Sequence, residues 1–231
     1  MDFSLEVIKN RKESSDAISL KFRKPDIAYK AGQYMLYTLP VEDQKGNSRP
    51  FSISSAPSED FLMLTTKLTG SPFKEKLSSL IEGESINAKG PFGRFLMEFA
   101  DRHIMIAGGI GITPFRSMIK NALDIGMKTE MVLLYSNKIP EEIAYREELE
   151  AWDGRNKHLK VVHTITRPDE SGEAWAGRVG RIDEKMIREF AKGDEIFYVC
   201  GPPALVTSML ETLKKMNIPE SRIRSESFVG Y

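Results

Sequence analysis

The stretch AGGIGITPF, Ala107 to Phe115, decides how the chain must be divided. It follows the apolar run HIMIAG and precedes the amphipathic run PFRSMIKNAL, so a strand, a glycine turn and a helix start stand in succession. That is the context a nucleotide phosphate site requires, because main-chain amides and the positive end of a helix both converge on the turn. Such a turn normally lies near the first strand of its domain, so the roughly one hundred residues before it need a separate role.

Those residues carry a different texture. SLEVIKN, AISLKF, QYMLYTL, RPFSISS, FLMLTTKL and SINAKG alternate apolar and polar side chains with period two, and turn-rich pieces such as EDQKGN and APSED separate them. Six short strands of this kind predict a small antiparallel β-barrel. One helical segment, SPFKEKLSSLI, spaces Phe73, Leu77, Leu80 and Ile81 onto one apolar face and reads as a cap across a barrel end.

From about Phe99 onward, HIMIAG, EMVLLYS, LKVVHTI and EIFYVC read as strands buried on both faces, with helical patterns between them. Phe115, Met118, Ile119 and Ala122 recur at helical spacing, as do Leu205, Met209, Leu213 and Met216. Alternating strands and helices predict a doubly wound parallel sheet. The expected fold class is therefore β plus α/β, with a barrel domain over residues 1–98 and a nucleotide-binding domain over 99–231.

Within the glycine turn, Gly109, Ile110 and Gly111 bring main-chain amides toward a pyrophosphate, Thr113 is expected to cap the helix, and Pro114 suits its first helical position. Pro114 stands where a plain G-x-G-x-x-G fingerprint has its third glycine, so a tight turn without a ligand is an equal reading of this segment alone. A second turn, Cys200-Gly201-Pro202-Pro203, also links an apolar strand to a helix. In a parallel sheet both turns emerge at the strands' carboxyl ends, where ligands bind.

Composition narrows the chemistry. Among 231 residues, Lys plus Arg and Asp plus Glu each total 33, which gives no global bias toward nucleic acid or anionic membrane. The single cysteine, Cys200, excludes an internal disulfide and a self-contained cysteine-ligated iron–sulfur or four-cysteine zinc site. His103, His158 and His163 are scattered, so no metal site is expected. The N-terminus lacks a signal-peptide core and no apolar run is long enough for a bilayer span, which makes a reducing, cytoplasmic setting without membrane insertion the expectation. The run PEEIAYREELEAW reads as a solvated structural helix.

Several motifs in fixed order, RPFS, AGQY, GPFGRF, GGIGITP and CGPP, resemble those of the ferredoxin-NADP reductase family of flavoproteins, over nearly the whole chain. The resemblance implies FAD on the barrel and NAD(P)H on the second domain, with the flavin ring facing the nicotinamide. By it, Arg49 offers a cationic fork to the flavin pyrophosphate, Pro50 belongs to the same motif, Phe51 lies against the flavin ring, and Ser52 hydrogen-bonds near flavin N5. Thr66, Lys67, Ser71, Phe73 and Lys74 are implied around the pyrophosphate, with Lys74 standing where the plant-type pattern often has Ser or Thr.

On the nucleotide side, Ser136 and Lys138 are implied at the ribose or a 2′-phosphate, with help from Arg167 and a lean toward NADPH. Gly201, Pro202 and Pro203 belong to the nicotinamide turn, and Cys200 packs beside the nicotinamide. The end, RSESFVGY, supplies Glu226 as a group assisting proton or electron transfer and an aromatic, Phe228 or Tyr231, to cover the flavin. The implied activity is hydride transfer from NAD(P)H to FAD with electrons passed to an acceptor, either a small redox protein or a small molecule. The alternatives are a non-catalytic flavin- or nucleotide-binding subunit and an electron-transfer subunit of a larger complex.

Overall fold

Alternating side chains in the first hundred residues do form strands, because each strand can turn one row of apolar groups onto a shared core. The computed structural model describes residues 1–228. Its first six strands are β1 (Asp2–Lys12), β2 (Ala17–Arg23), β3 (Tyr34–Thr38), β4 (Ser48–Ser52), β5 (Phe61–Lys67) and β6 (Ser85–Phe92). They pair antiparallel in the order β4-β3-β6-β1-β2-β5. The two edges meet just beyond β4, where the Ser54 amide donates to the Met63 carbonyl of β5 (2.8 Å). All six strands feed one core, with Leu5, Val7, Leu20, Phe22, Met35, Tyr37, Phe51, Leu62, Leu64 and Ile86 all buried in it.

Helix α1 (Pro72–Ser79) caps this barrel. Ser71 is its N-cap, accepting from the Lys74 amide, and Pro72 occupies the first helical position, where no hydrogen bond is lost. Phe73, Leu77 and Leu80 enter the barrel core. Ile81 does not, contrary to expectation: the helix ends at Ser79, the chain turns extended at Leu80, and Ile81 is 67% exposed.

The second sheet is parallel and contains β7 (Arg102–Gly108), β8 (Glu130–Asn137), β9 (Leu159–Ile165), β10 (Arg178–Val179), β11 (Ile196–Gly201) and β12 (Ile223–Ser227), in the order β10-β9-β8-β7-β11-β12. Its helices are α2 (Ile112–Asp124), which follows β7, then α3 (Arg146–Arg155), α4 (Glu184–Arg188) and α5 (Pro203–Lys215). One face buries Ile104, Ile106, Val132, Leu134, Phe197 and Val199 against Met186 and Ile187 of α4 and Val206, Met209 and Leu213 of α5.

Two features differ from expectation in this half. PEEIAY does not extend the third helix: Pro140–Glu142 is a single 3-10 turn, and Tyr145 adopts a left-handed conformation (φ 60°) immediately before α3. The segment Ile143–Tyr145 is buried rather than solvated, which is what its apolar side chains require. Thr113 is not the cap of α2. A 3-10 turn at Gly109–Gly111 leads straight into a helix that starts at Ile112, which places Thr113 and Pro114 inside its first turn. Proline is tolerated there because first-turn amides have no intrahelical partner.

The chain forms two compact units, residues 1–97 with 113–125, and residues 98–112 with 126–231. Most of α2 thus belongs with the barrel strands. Arg116, 2% exposed, makes a two-pronged ion pair with Glu59 (2.9 and 3.1 Å) and donates to the Ser54 carbonyl (2.8 Å), while Ser117 donates to the Ser55 carbonyl (2.5 Å). Among the described residues no helix is long and apolar enough to cross a membrane.

Candidate functional site

On the parallel sheet the site is set by strand order. From β7 the chain proceeds through β8, β9 and β10 on one side, then returns to place β11 and β12 on the other. The reversal falls between β7 and β11, which are neighbours in register, Cys200 beside Ala107. In open parallel sheets that reversal point, at the strands' carboxyl ends, is where ligands bind.

Both glycine turns lie there, and they meet backbone to backbone. A Cβ on Gly111 would stand 2.4 Å from the Cys200 carbonyl oxygen and 2.6 Å from Gly201 Cα. One on Gly201 would meet Gly108 backbone atoms at 3.1–3.2 Å, and one on Gly108 would meet a Leu205 methyl at 2.6 Å. Gly109 has φ +51° and is half-buried. Close approach of backbone therefore requires glycine at Gly111, whereas at Gly108 the Leu205 methyl can yield, and the turn's amides lie at the start of α2.

Ser136 closes the same rim, paired in register with Gly108, and is half-buried. Lys138 is exposed, with its carbonyl accepting from the Arg167 amide (2.8 Å), and the Arg167 side chain pairs with Glu170. Pro202 and Pro203 are exposed, and Ile110 and Thr113 are buried.

Cys200 and Glu226 are brought together by β12, in register on adjacent strands. Cys200 has no exposed surface, and burial, with the neighbouring Glu226 charge, pushes its thiol well above the usual range. Burial pushes Glu226 up to about 7, and its Oε2 is buried without a hydrogen-bond partner among the described residues. The Phe228 amide donates to the Gly201 carbonyl (2.9 Å), while Tyr231 lies outside the described residues. Burial also pushes His103 and His163 down to about 4, so both rings are neutral near pH 7.

The barrel unit presents a second cluster around the N-terminus of α1. Arg49 on β4 pairs with Asp43 (2.6 Å), donates to the Gly46 and Ser48 carbonyls (2.7 and 3.1 Å) and to that of Lys45, and lies 5.2 Å from the centre of the Phe73 ring. Asp43 also accepts from the Phe73 amide (3.2 Å), which ties the β3–β4 turn to the helix start. Lys67 pairs with Asp16 (2.5 Å), and Lys74 is 7% exposed. Burial, followed by the charges of Lys45, Arg49 and Lys67, pushes Lys74 down to about 8.

Three of the expected cofactor-site residues are buried in the barrel. Phe51 is 5% exposed and packs between Tyr37 (5.9 Å) and Phe73 (6.1 Å), because alternation along β4 turns it into the barrel. Phe73 is fully buried by the apolar face of α1, and Thr66 is fully buried on β5. These are core residues, whereas Arg49, Lys67, Ser71 and Lys74 remain gathered about the helix start. Pro50 is exposed, and Ser52 is 5% exposed at the end of β4.

Sequence reasoning missed Asp43 and Lys45, whose loop EDQKGN signals only a turn, and the Arg116–Glu59 pair, whose partners lie 57 residues apart. It also missed Asn137, 4% exposed at the end of β8, whose amide has no hydrogen-bond partner among the described residues.

Two glycine turns at a sheet reversal in one unit and a cationic helix start in the other are two separate places of the kind that bind phosphate groups. The family model described as FAD-binding domain matches residues 3–102, and that described as oxidoreductase NAD-binding domain matches residues 105–211. The chain is 28% identical over 241 residues to ferredoxin--NADP reductase B of Sorangium cellulosum, covering 98% of this chain and 97% of the relative. It is 27% identical over 234 residues to a flavohemoprotein of Bacillus subtilis, covering 96% of this chain and 58% of the relative. The cytochrome b5 reductase domain of Ulva prolifera nitrate reductase has the same fold, with a TM-score of 0.84 at 23% identity, covering 98% of this chain and 97% of that one. The chain belongs to the ferredoxin-NADP reductase-like family of FAD- and NAD(P)-binding proteins. It spans only 27–58% of the length of several other curated relatives.

Proposed function

We propose that this chain is an NAD(P)H-dependent flavoprotein reductase that takes hydride into FAD and passes electrons to a separate acceptor. The observation that carries this reading is the backbone-to-backbone meeting of the two glycine turns at the β7–β11 reversal, a contact so close that any side chain at Gly111 would overlap the Cys200 backbone. Bound FAD would supply a ring that accepts hydride at N5 and releases electrons one or two at a time.

The residues divide the work. Arg49, Lys67, Ser71 and Lys74, with the α1 N-terminus, would hold the flavin diphosphate, and Ser52 would offer its hydroxyl to the ring. Amides of Gly109–Gly111 hold the nucleotide pyrophosphate, and Gly201–Pro203 position the nicotinamide. Ser136 and Lys138 contact the adenosine ribose, where the Lys138 cation favours the 2′-phosphate of NADPH. Cys200 acts as packing beneath the nicotinamide turn, since a buried neutral thiol is no nucleophile. Glu226, held near neutrality in its proton affinity, exchanges a proton during onward transfer.

The names of the relatives support a protein acceptor, of the small redox type, in the reducing cytoplasm that a single buried cysteine suits. The test is a visible spectrum of the purified chain before and after anaerobic NADH or NADPH. A yellow protein that bleaches with one nucleotide is expected. A chain that stays colourless after incubation with FAD, or a yellow one that neither nucleotide bleaches, refutes the reading.

A further inference from the structure

We infer that Arg116 is a positioning residue for hydride transfer: it fixes helix α2, which continues from the Gly109–Gly111 turn, in register on the backbone that leaves β4 after Ser52. The inference rests on the reading of Ser52 as a hydroxyl offered to the flavin, and it adds a residue that acts through others.

The exit of β4 is held from two sides. From α2, Arg116, 2% exposed, donates Nη1 to the Ser54 carbonyl (2.8 Å) and grips both oxygens of Glu59 (2.9 and 3.1 Å). Glu59 also accepts from the Ala56 amide (2.7 Å), and the Ser117 hydroxyl donates to the Ser55 carbonyl (2.5 Å). From the barrel, the Ile53 amide donates to the Gln33 carbonyl, the Ser54 amide to the Met63 carbonyl and the Tyr29 hydroxyl to the Ala56 carbonyl, each at 2.8 Å. Ser54, Ser55 and Ala56 have no exposed surface. Both sides of the α2 contact lie in the first compact unit.

A buried ion pair of this kind is a poor source of stability, because desolvation offsets most of its attraction and apolar side chains of similar volume often serve as well. What the planar guanidinium adds is direction, since its fork fixes an orientation as well as a distance. Gripped at Arg116, α2 resists both rotation and sliding on residues 54–59. The glycine turn ends at Gly111 and α2 starts at Ile112, about one helical turn before Arg116, so the amides of the turn inherit that register. On the other side of the grip, Ser54 lies directly after Ser52 and Ile53 in the chain. Hydride transfer is sensitive to such placement: an error of about 1 Å can cost roughly 100-fold in rate.

The experiment compares the full-length wild type with Arg116→Lys and with the double variant Arg116→Met, Glu59→Gln. Arg116→Lys keeps the charge and loses the fork. The double variant removes both charges, leaves an amide oxygen for Ala56, and should melt within about 5 °C of the wild type. Three quantities are read: amide hydrogen exchange at Ser54 and Ala56 without added cofactor, the FAD dissociation constant, and single-turnover flavin reduction by a saturating amount of whichever nucleotide, NADH or NADPH, bleaches the wild type. Both variants should exchange these amides about tenfold faster. They should hold FAD within about threefold of the wild type and be reduced roughly 10- to 100-fold more slowly. A wild-type rate of reduction in either variant overturns the inference. So does slow reduction with exchange unchanged at both amides, or slow reduction that comes with loss of FAD. If the double variant does not fold, Arg116→Lys decides on the same readouts. A wild type that neither nucleotide reduces overturns the functional reading instead, and the inference falls with it.

Discussion

Gly111→Ala tests the nucleotide cradle most directly. The new methyl group would lie 2.4 Å from the Cys200 carbonyl oxygen and 2.6 Å from both Cys200 C and Gly201 Cα, all of them backbone atoms. Carbon–oxygen contacts settle near 3.3 Å, so one turn must retreat from the other by about 1 Å. Overpacking of that kind costs about 1–3 kcal/mol, which for a chain of this size lowers the melting temperature by about 3–10 °C. A displacement of about 1 Å in a positioning element can also slow the chemical step by roughly 100-fold. The assays are thermal unfolding of the FAD-loaded protein and anaerobic flavin reduction by NAD(P)H. FAD content should be unchanged, because the turn belongs to the second compact unit. Gly154→Ala in α3 is the control: nothing lies within 4 Å of its Cβ position, so the substitution should be neutral or stabilise by about 0.5 kcal/mol. If Gly111→Ala melts with the wild type and accepts hydride at the wild-type rate, the turns do not pack as described.

Three further outcomes follow from the same geometry. Arg49→Ala should weaken FAD retention and leave Asp43 without its cation, whereas unchanged retention rejects a pyrophosphate role for Arg49. Glu59→Gln removes a paired carboxylate from the buried Arg116 and should cost about 1–3 kcal/mol in denaturant unfolding. Burial pushes Glu59 up, but the Arg116 hydrogen bond and charge outweigh it and hold the carboxyl below its ordinary value of 4.5. The wild type should therefore lose this contribution as pH falls below that value, and the variant should not; parallel acid profiles would contradict the assignment. Glu226 is the opposite case: its folded value near 7 exceeds the ordinary 4.5, so the folded form binds the extra proton and stability falls as pH rises between those values. Glu226→Gln should flatten that fall, which pH-dependent melting curves would measure.

The chain shows where sequence reading succeeds and where it stops. Period two located the barrel strands, most plainly β3 and β6, where wet and dry faces alternate, and less so β2 and β5, which are buried on both faces, while apolar runs located β7, β8, β9 and β11 because both their faces are covered. The edge strand β12 was not legible as a strand. Its sequence IRSES carries charges and hydroxyls that an edge tolerates, and only backbone pairing with β11 reveals it. The glycine turns could be read singly, but their mutual contact depends on strand order, which no local pattern encodes. Side-chain direction was the weakest link. By motif Phe51 fits a flavin-ring contact and Phe73 a place near the pyrophosphate, and the alternation of β4 and the apolar face of α1 bury both side chains in the core. Asp43 was missed for the reverse reason, since a turn acid acquires its meaning only when folding brings Arg49 and a helix amide to it.

The burial of Cys200 gives the protein a built-in reporter. With one sulfhydryl in the sequence and no surface on it, alkylation by a small maleimide must wait until the β11–β12 edge parts. Labelling kinetics in the native state would thus time the fraying of that edge without an introduced probe, and saturating nucleotide should lengthen the interval if it clamps the turn above.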